Sequence, residues 1–236
     1  MVKVLIVDDS AVVRQVLSAE LSKADGIEVV GTAIDPYAAR DKILSLHPDV
    51  LTLDVEMPRM DGLTFLRKLM RYHPLPVIVV SSLTPAGSDA ALEALNLGAV
   101  DVVAKPGSAY TVKDVARQLA QKIRAAAKAR IAAPGGQSAR PSAGPVHAAP
   151  PLKTSHRILA IGASTGGTKA IEEVLARLPA DTSGTVIVQH MPAKFTTSFA
   201  GRLNDMCAME VREACDGDLV VPGLALVAPG GDHMVL

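Results

Sequence analysis

Short apolar runs recur along the first half of the chain, each separated from the next by a polar or amphipathic stretch. Val4 to Val7, Ile27 to Val30, Val50 to Leu53, Val77 to Val80 and Val100 to Val103 are continuous rather than alternating, the pattern of strands covered on both faces. Between the first two, Val13, Val16, Leu17 and Leu21 fall at i, i+3, i+4 and i+8, and Val112, Val115, Leu119 and Ile123 later fall at i, i+3, i+7 and i+11. Both sets are stripes on one face of a helix. Alternation of this kind predicts a doubly wound α/β fold, a parallel five-stranded sheet with helices on both faces. Ligand sites of such sheets lie outside the carboxyl ends of the strands, so the residues just after each strand carry the most information.

The same grammar restarts in the second half. Ile158 to Ile161 reads as a strand, a glycine-rich turn follows, Ile171, Val174, Leu175 and Leu178 mark a helix, and Val186 to Val188 reads as the next strand. From Ala132 to Pro151, sixteen of twenty residues are Pro, Gly, Ala or Ser. Such a stretch cannot bury enough apolar surface to offset its ordering entropy and is expected to be a flexible linker. Charge changes across the same place: residues 126–157 hold five basic residues and no acid, whereas residues 158–236 hold nine acids and five basic residues. The expected organisation is a first domain over 1–125, a helix end and linker over 126–156, and a second α/β domain over 157–236.

Composition narrows the function classes. Apolar residues make up 49% of the chain and charged residues 20%, enough to bury two modest cores, and the formal net charge is zero. No global field therefore points to nucleic acid or to an anionic membrane, and the acidic second half has no helix-turn-helix pattern. Cys207 and Cys215 have no metal-ligand spacing around them and are expected to be free thiols in a reducing cytosol. The start, MVKVLIVDD, lacks the long apolar region of a signal peptide, and no stretch approaches the roughly 18 uncharged apolar residues of a membrane span.

The strand ends of the first half carry chemistry. Asp8 and Asp9 follow the first strand and Asp54 follows the third, so adjacent strands would gather these carboxylates at one edge. Like charges held this close in partial burial repel and favour a divalent cation, and hard oxygen ligands suit magnesium. Ser81 follows the fourth strand and Lys105 the fifth. A carboxylate nucleophile, a metal, a hydroxyl and an ammonium are the parts needed to accept and hold a phosphoryl group. Any one of the acids alone would more commonly be a helix N-cap.

VLIVDDS, LTLDVEMPRMDG, PVIVVSS and VDVVAKP together resemble the signature segments of response-regulator receiver domains, covering residues 1 to about 125. That resemblance implies a flavodoxin-like fold with Asp54 as the phosphorylated residue. It further implies magnesium held by Asp9, Asp54 and the backbone carbonyl of Glu56, with Asp8 acting through water. Ser81 would bond the phosphoryl oxygens and Lys105 would pair with them. The family often carries an aromatic three residues before the lysine, where this chain has Val102, so the expected switch runs through Ser81 and the loop after it.

In the second half, Gly162-Ala163-Ser164-Thr165-Gly166 fits the G-x-S-x-G pattern of a nucleophile elbow between a strand and a helix. A dinucleotide-binding loop fits less well. Ser164 stands where the second glycine should approach pyrophosphate, and an apolar run stands where an acid should meet the ribose. A plain helix N-cap is the third reading of Ser164. His190 ends the next strand and in a parallel sheet should reach the same edge, where an imidazole can activate the serine.

A receiver, a Pro/Ala-rich linker, and then IGASTGG, VIVQHMP and VAPGGDH resemble the chemotaxis response-regulator methylesterase family throughout the chain. The resemblance implies a Rossmann-like catalytic domain that hydrolyses glutamate methyl esters of methyl-accepting chemoreceptors and deamidates receptor glutamines. Ser164 would be the nucleophile and His190 the general base, with no cofactor for that reaction. A chemotaxis histidine kinase would be the phosphodonor, phosphorylation of Asp54 would activate the hydrolase, and the location would be cytoplasmic. No nucleic-acid partner and no membrane insertion are expected. The chain stops at Leu236, before the position of the family's histidine-orienting aspartate. The expectation is therefore an incomplete second domain with weak or no esterase activity, and turn or surface roles for Asp216, Asp218 and Asp232.

Overall fold

A computed structural model of the chain describes residues 1–58, 60–106, 111–129 and 157–236. It divides into two compact units between residues 131 and 132. Of the segment expected as helix end and linker, residues 130–156 lie outside the described residues.

The first unit alternates strand and helix throughout: β1 (Val2–Val7), α1 (Ala11–Leu21), β2 (Ile27–Ala33), α2 (Pro36–Leu46), β3 (Val50–Asp54), α3 (Gly62–Tyr72), β4 (Val77–Ser81), α4 (Pro85–Asn96), β5 (Asp101–Ala104) and α5 (Val112–Ala126). The strands pair in parallel in the order β2-β1-β3-β4-β5. The continuous apolar runs have the expected consequence. Every residue of β3, β4 and β5 is buried, with helices on both faces. Leu17 and Leu21 of α1 and Val115, Leu119 and Ile123 of α5 pack with Val4, Ile6 and Val80 into one core. Lys122 of α5 and Asp101 of β5, each about 4% exposed, are paired at 2.5 Å and tie that helix to the sheet edge. Chain order reverses between β1 and β3, and this switch point is where such sheets open a crevice.

Each helix of this unit starts with its own cap. Ser10, Asp35, Asp61, Thr84 and Thr111 accept from the backbone N–H three residues on. Asp8, Asp9 and Asp54 are therefore not the N-caps, which removes the ordinary explanation for acids after strands. The first residue of α3 lies hard against β3: a Cβ on Gly62 would stand 2.2 Å from the Asp54 carbonyl oxygen and 2.7 Å from the Val55 Cα. Backbone cannot yield as a side chain can, so Gly62→Ala should lower the stability of this unit by about 1–3 kcal/mol. Urea unfolding followed on the first unit checks this, and an unchanged midpoint would contradict it.

The second unit consists of β6 (Leu159–Ala163), α6 (Gly167–Leu175), β7 (Thr185–Gln189), α7 (Phe195–Met206), β8 (Glu210–Glu213) and β9 (Leu224–Val227). Its strands are also all parallel, in the order β6-β7-β9-β8. The expected strand from Ile158 begins one residue later and runs on to Ala163. The helical stripe is shorter than its spacing suggested. Ile171 and Leu175 are buried, Val174 is exposed, and Leu178 lies beyond the helix end just before Pro179. Phe195, Phe199 and Leu203 on one face of α7 are fully buried in this smaller core, beside the apolar residues of β7 and β9. Cys207 and Cys215 are free thiols. Among the described residues no helix is long and apolar enough to cross a membrane.

Candidate functional site

Strand register assembles the site in the first unit. Val7 pairs with Leu53, so one step further along each strand brings Asp8 beside Asp54. Ser81 pairs with Ala104, so the next residue, Lys105, emerges at the same edge. One carboxylate oxygen from each of Asp8, Asp9 and Asp54 lies within 4.8 Å of the others. Lys105 Nζ donates to Asp54 Oδ2 at 2.6 Å and stands 4.0 Å from Asp8 Oδ2. Asp54 Oδ1 accepts the Glu56 backbone N–H at 2.9 Å, and Asp8 Oδ1 accepts that of Ser10 at 2.8 Å.

Burial works against these charges. It is the largest cause raising Asp8 to about 6, with the neighbouring Asp54 charge adding to it and Lys105 opposing. Asp54 is raised for the same first reason, against the hydrogen bonds from Lys105 and Glu56 N–H. Burial pulls Lys105 down, yet its hydrogen bond to Asp54 and the charges of Asp54, Asp8 and Glu56 leave it raised overall. Asp8 Oδ2 is buried and accepts no hydrogen bond among the described residues. A hard divalent cation is the partner that an orphaned buried carboxylate oxygen in an acidic cluster fits.

The sign of the Asp8 shift makes a testable consequence. A carboxyl whose pKa is raised by folding binds its proton more tightly when folded, so its contribution to stability is fully present below about 3.8 and is lost as pH rises through about 6. Without a divalent cation, the wild-type chain should lose about 3 kcal/mol relative to Asp8→Asn between those limits. Unfolding of both proteins at each pH measures the difference, and a flat difference would contradict it.

Ser81 is fully buried at the end of β4, and its hydroxyl donates to the Gly87 carbonyl of α4 at 3.0 Å. Reaching Asp54 would require that bond to break. The Glu56 side chain accepts from Ser82 Oγ at 2.7 Å. Val102 is 1% exposed and packed in the core.

In the second unit the same register logic operates. Ala163 pairs with Gln189, so Ser164 and His190 leave adjacent strands side by side. Ser164 Oγ and His190 Nδ1 are 3.4 Å apart, both residues are exposed, and His190 N–H donates to the Ala163 carbonyl at 3.0 Å. Ser164 does not cap the following helix. That position is Gly166, at φ 77°, with no side-chain cap. A glycine suits that left-handed turn, and the positive end of α6 is left next to the serine. Of the late acids, Asp218 is taken by Arg212 at 2.5 Å and by the Cys215 N–H at 2.7 Å, while Asp216 and Asp232 are exposed.

Two features were not singled out from the sequence. Glu213, at the end of β8, accepts from Thr196 Oγ1 at 2.5 Å and Thr197 Oγ1 at 2.6 Å in the first turn of α7, a helix with no side-chain cap of its own. Thr196 Oγ1 also accepts the Gly230 N–H at 3.0 Å, which fastens the VAPGGDH loop beside the loop that follows His190. The other is Gln189, a polar residue buried within an apolar strand, and that mismatch was the available signal.

The fold and the acid cluster define a receiver-type unit, and the strand-end serine and histidine give the second unit the makings of a hydrolase. The sequence matches the response regulator receiver domain over residues 4–117 and CheB methylesterase over residues 159–236. It is 57% identical over its whole length to protein-glutamate methylesterase/protein-glutamine glutaminase 2 of Syntrophus aciditrophicus, spanning 68% of that protein. It is 58% identical to protein-glutamate methylesterase/protein-glutamine glutaminase 4 of Anaeromyxobacter dehalogenans, of which it spans 65%. The crystal structure of the response regulator domain of Thermotoga maritima CheB matches 55% of this chain and 98% of its own, at 41% identity and a TM-score of 0.50. The chain belongs to the protein-glutamate methylesterase/protein-glutamine glutaminase family of chemotaxis response regulators.

Proposed function

We propose that this chain is a phosphorylation-controlled serine hydrolase that demethylates glutamate methyl esters of chemoreceptors and deamidates receptor glutamines. The observation that carries this reading is the 3.4 Å approach of Ser164 Oγ to His190 Nδ1 at neighbouring strand ends. His190 accepts the serine proton at Nδ1 as Oγ attacks the ester carbonyl carbon, then returns it to the departing methoxide, so that methanol leaves. Water deprotonated by the same imidazole cleaves the acyl-serine and regenerates the enzyme. With a glutamine side chain the leaving group is ammonia and the product is again glutamate. The esterase reaction is assigned no cofactor.

In the first unit Asp54 is the phosphoryl acceptor. Asp8, Asp9, Asp54 and the Glu56 carbonyl would hold Mg2+, which would neutralise charge on the phosphoryl oxygens. Lys105 would move from Asp54 to the phosphoryl group, and Ser81 would exchange the Gly87 carbonyl for a phosphoryl oxygen. A chemotaxis histidine kinase is the natural phosphodonor, and the reaction belongs in the cytoplasm. Residues 1–125 form the receiver and residues 157–236 the part carrying the serine and histidine.

The test is hydrolysis itself: methanol released from methylated receptor membranes, and ammonia from receptors bearing glutamine at the same positions. Release above that of a Ser164→Ala control supports the reading. Phosphoryl uptake with neither product would support a phosphoryl-accepting signalling module in its place.

A further inference from the structure

We propose that Gln189 is a positioning residue that holds the Ser164 turn in register with His190, an inference that rests on the reading of Ser164 as nucleophile. Gln189 is 5% exposed, and its Nε2 donates to the Ser164 carbonyl at 3.0 Å. That carbonyl also accepts the Gly167 N–H at 2.7 Å, which closes the turn locally. The local bond shapes the turn, whereas the Gln189 bond ties it to the next strand. The end of β7 thus grips the serine turn at three successive points: the Gln189 amide on the Ser164 carbonyl, the His190 N–H on the Ala163 carbonyl, and the His190 ring at Ser164 Oγ. Without the first, Ser164 can turn about its backbone and carry Oγ away from the imidazole.

The cost of this arrangement marks it as more than packing. Gln189 Oε1 is buried and accepts no hydrogen bond among the described residues, a state that an apolar residue of similar volume would avoid. The neighbouring helix also makes room for it: a Cβ on Gly167 would stand 2.3 Å from Gln189 Oε1 and 2.6 Å from Ala163 Cβ. Gly167 is not among the glycines at positive φ, so its backbone would admit alanine, which favours a helix. The smallness of residue 167 leaves room for both the glutamine amide and the Ala163 methyl.

The experiment is the rate at which a small alkyl fluorophosphonate labels Ser164 in the full chain, read by intact mass. Gln189→Met keeps the volume and loses the donor, and it should slow labelling about tenfold or more. Gly167→Ala keeps Gln189 but displaces it, and should slow labelling in the same direction despite its better helix propensity. The discriminating variants lack the histidine. If Gln189 acts through the Ser164–His190 alignment, Gln189→Met should slow labelling no further in a His190→Ala background. Equal slowing in both backgrounds, or a wild-type rate for Gln189→Met, would overturn the proposal while leaving Ser164 as nucleophile. A wild-type chain that labels no faster than Ser164→Ala would overturn both.

Discussion

Ser164→Ala is expected to reduce methanol release from methylated receptor membranes to the background of the assay, however low the wild-type rate, and to leave phosphoryl uptake by the first unit unchanged. The first half of the expectation follows from chemistry. Alanine has no atom that can form the acyl bond, and water at that position would be unaided by the grip that β7 exerts on the turn. The second half follows from organisation. The serine lies in a separate compact unit from Asp54, in a sheet with its own core, and contributes no atom to the acid cluster. Inhibitor-free turnover assays, together with intact mass after exposure to a small phosphodonor, read both halves in one preparation. Residual hydrolysis within tenfold of wild type would remove Ser164 from the reaction.

Asp54→Asn should abolish phosphoryl uptake from a small phosphodonor in the presence of Mg2+. Asp8 and Asp9 are poor substitutes. Asp9 is exposed and Lys105 Nζ stands 4.0 Å from Asp8, whereas Asp54 is fully buried at the strand end with Lys105 Nζ at 2.6 Å on one oxygen and the Glu56 N–H on the other. An amide at position 54 keeps that shape but is no nucleophile. The same variant should retain the unstimulated rate of ester hydrolysis and lose any increase on adding phosphodonor. Intact mass measures uptake directly, and a phosphoryl adduct on Asp54→Asn would show that another residue is the acceptor.

Much of this was legible in the sequence because both sites sit at strand ends. Once the apolar runs place β1 beside β3 and β6 beside β7, register alone brings Asp8 to Asp54 and Ser164 to His190. What the sequence left open were choices between equally ordinary roles. Asp or Ser after a strand reads as a helix cap until the structure shows Ser10, Asp61 and Gly166 in those positions. Ser81 was legible as a strand-end hydroxyl, but not as a group bound to the Gly87 carbonyl, because that depends on where α4 packs. The order of β8 and β9 escaped for a related reason. β8, Glu210–Glu213, is mostly charged with no continuous apolar run to mark it, and β9 inserts between β7 and β8, out of chain order. Gln189 and Glu213 act across strands and helices far apart in sequence, so nothing local distinguishes them beyond a polar residue among apolar neighbours.

The proposed function joins a phosphoryl-accepting aspartate to a serine hydrolase in one chain, with the first controlling the second. Its most direct test is methanol release from methylated receptor membranes by the wild-type chain, with and without a small phosphodonor and Mg2+. Release should be faster with the phosphodonor, and Asp54→Asn should show no such increase. Release that is absent, or indifferent to phosphorylation of Asp54 in the same sample, would contradict it.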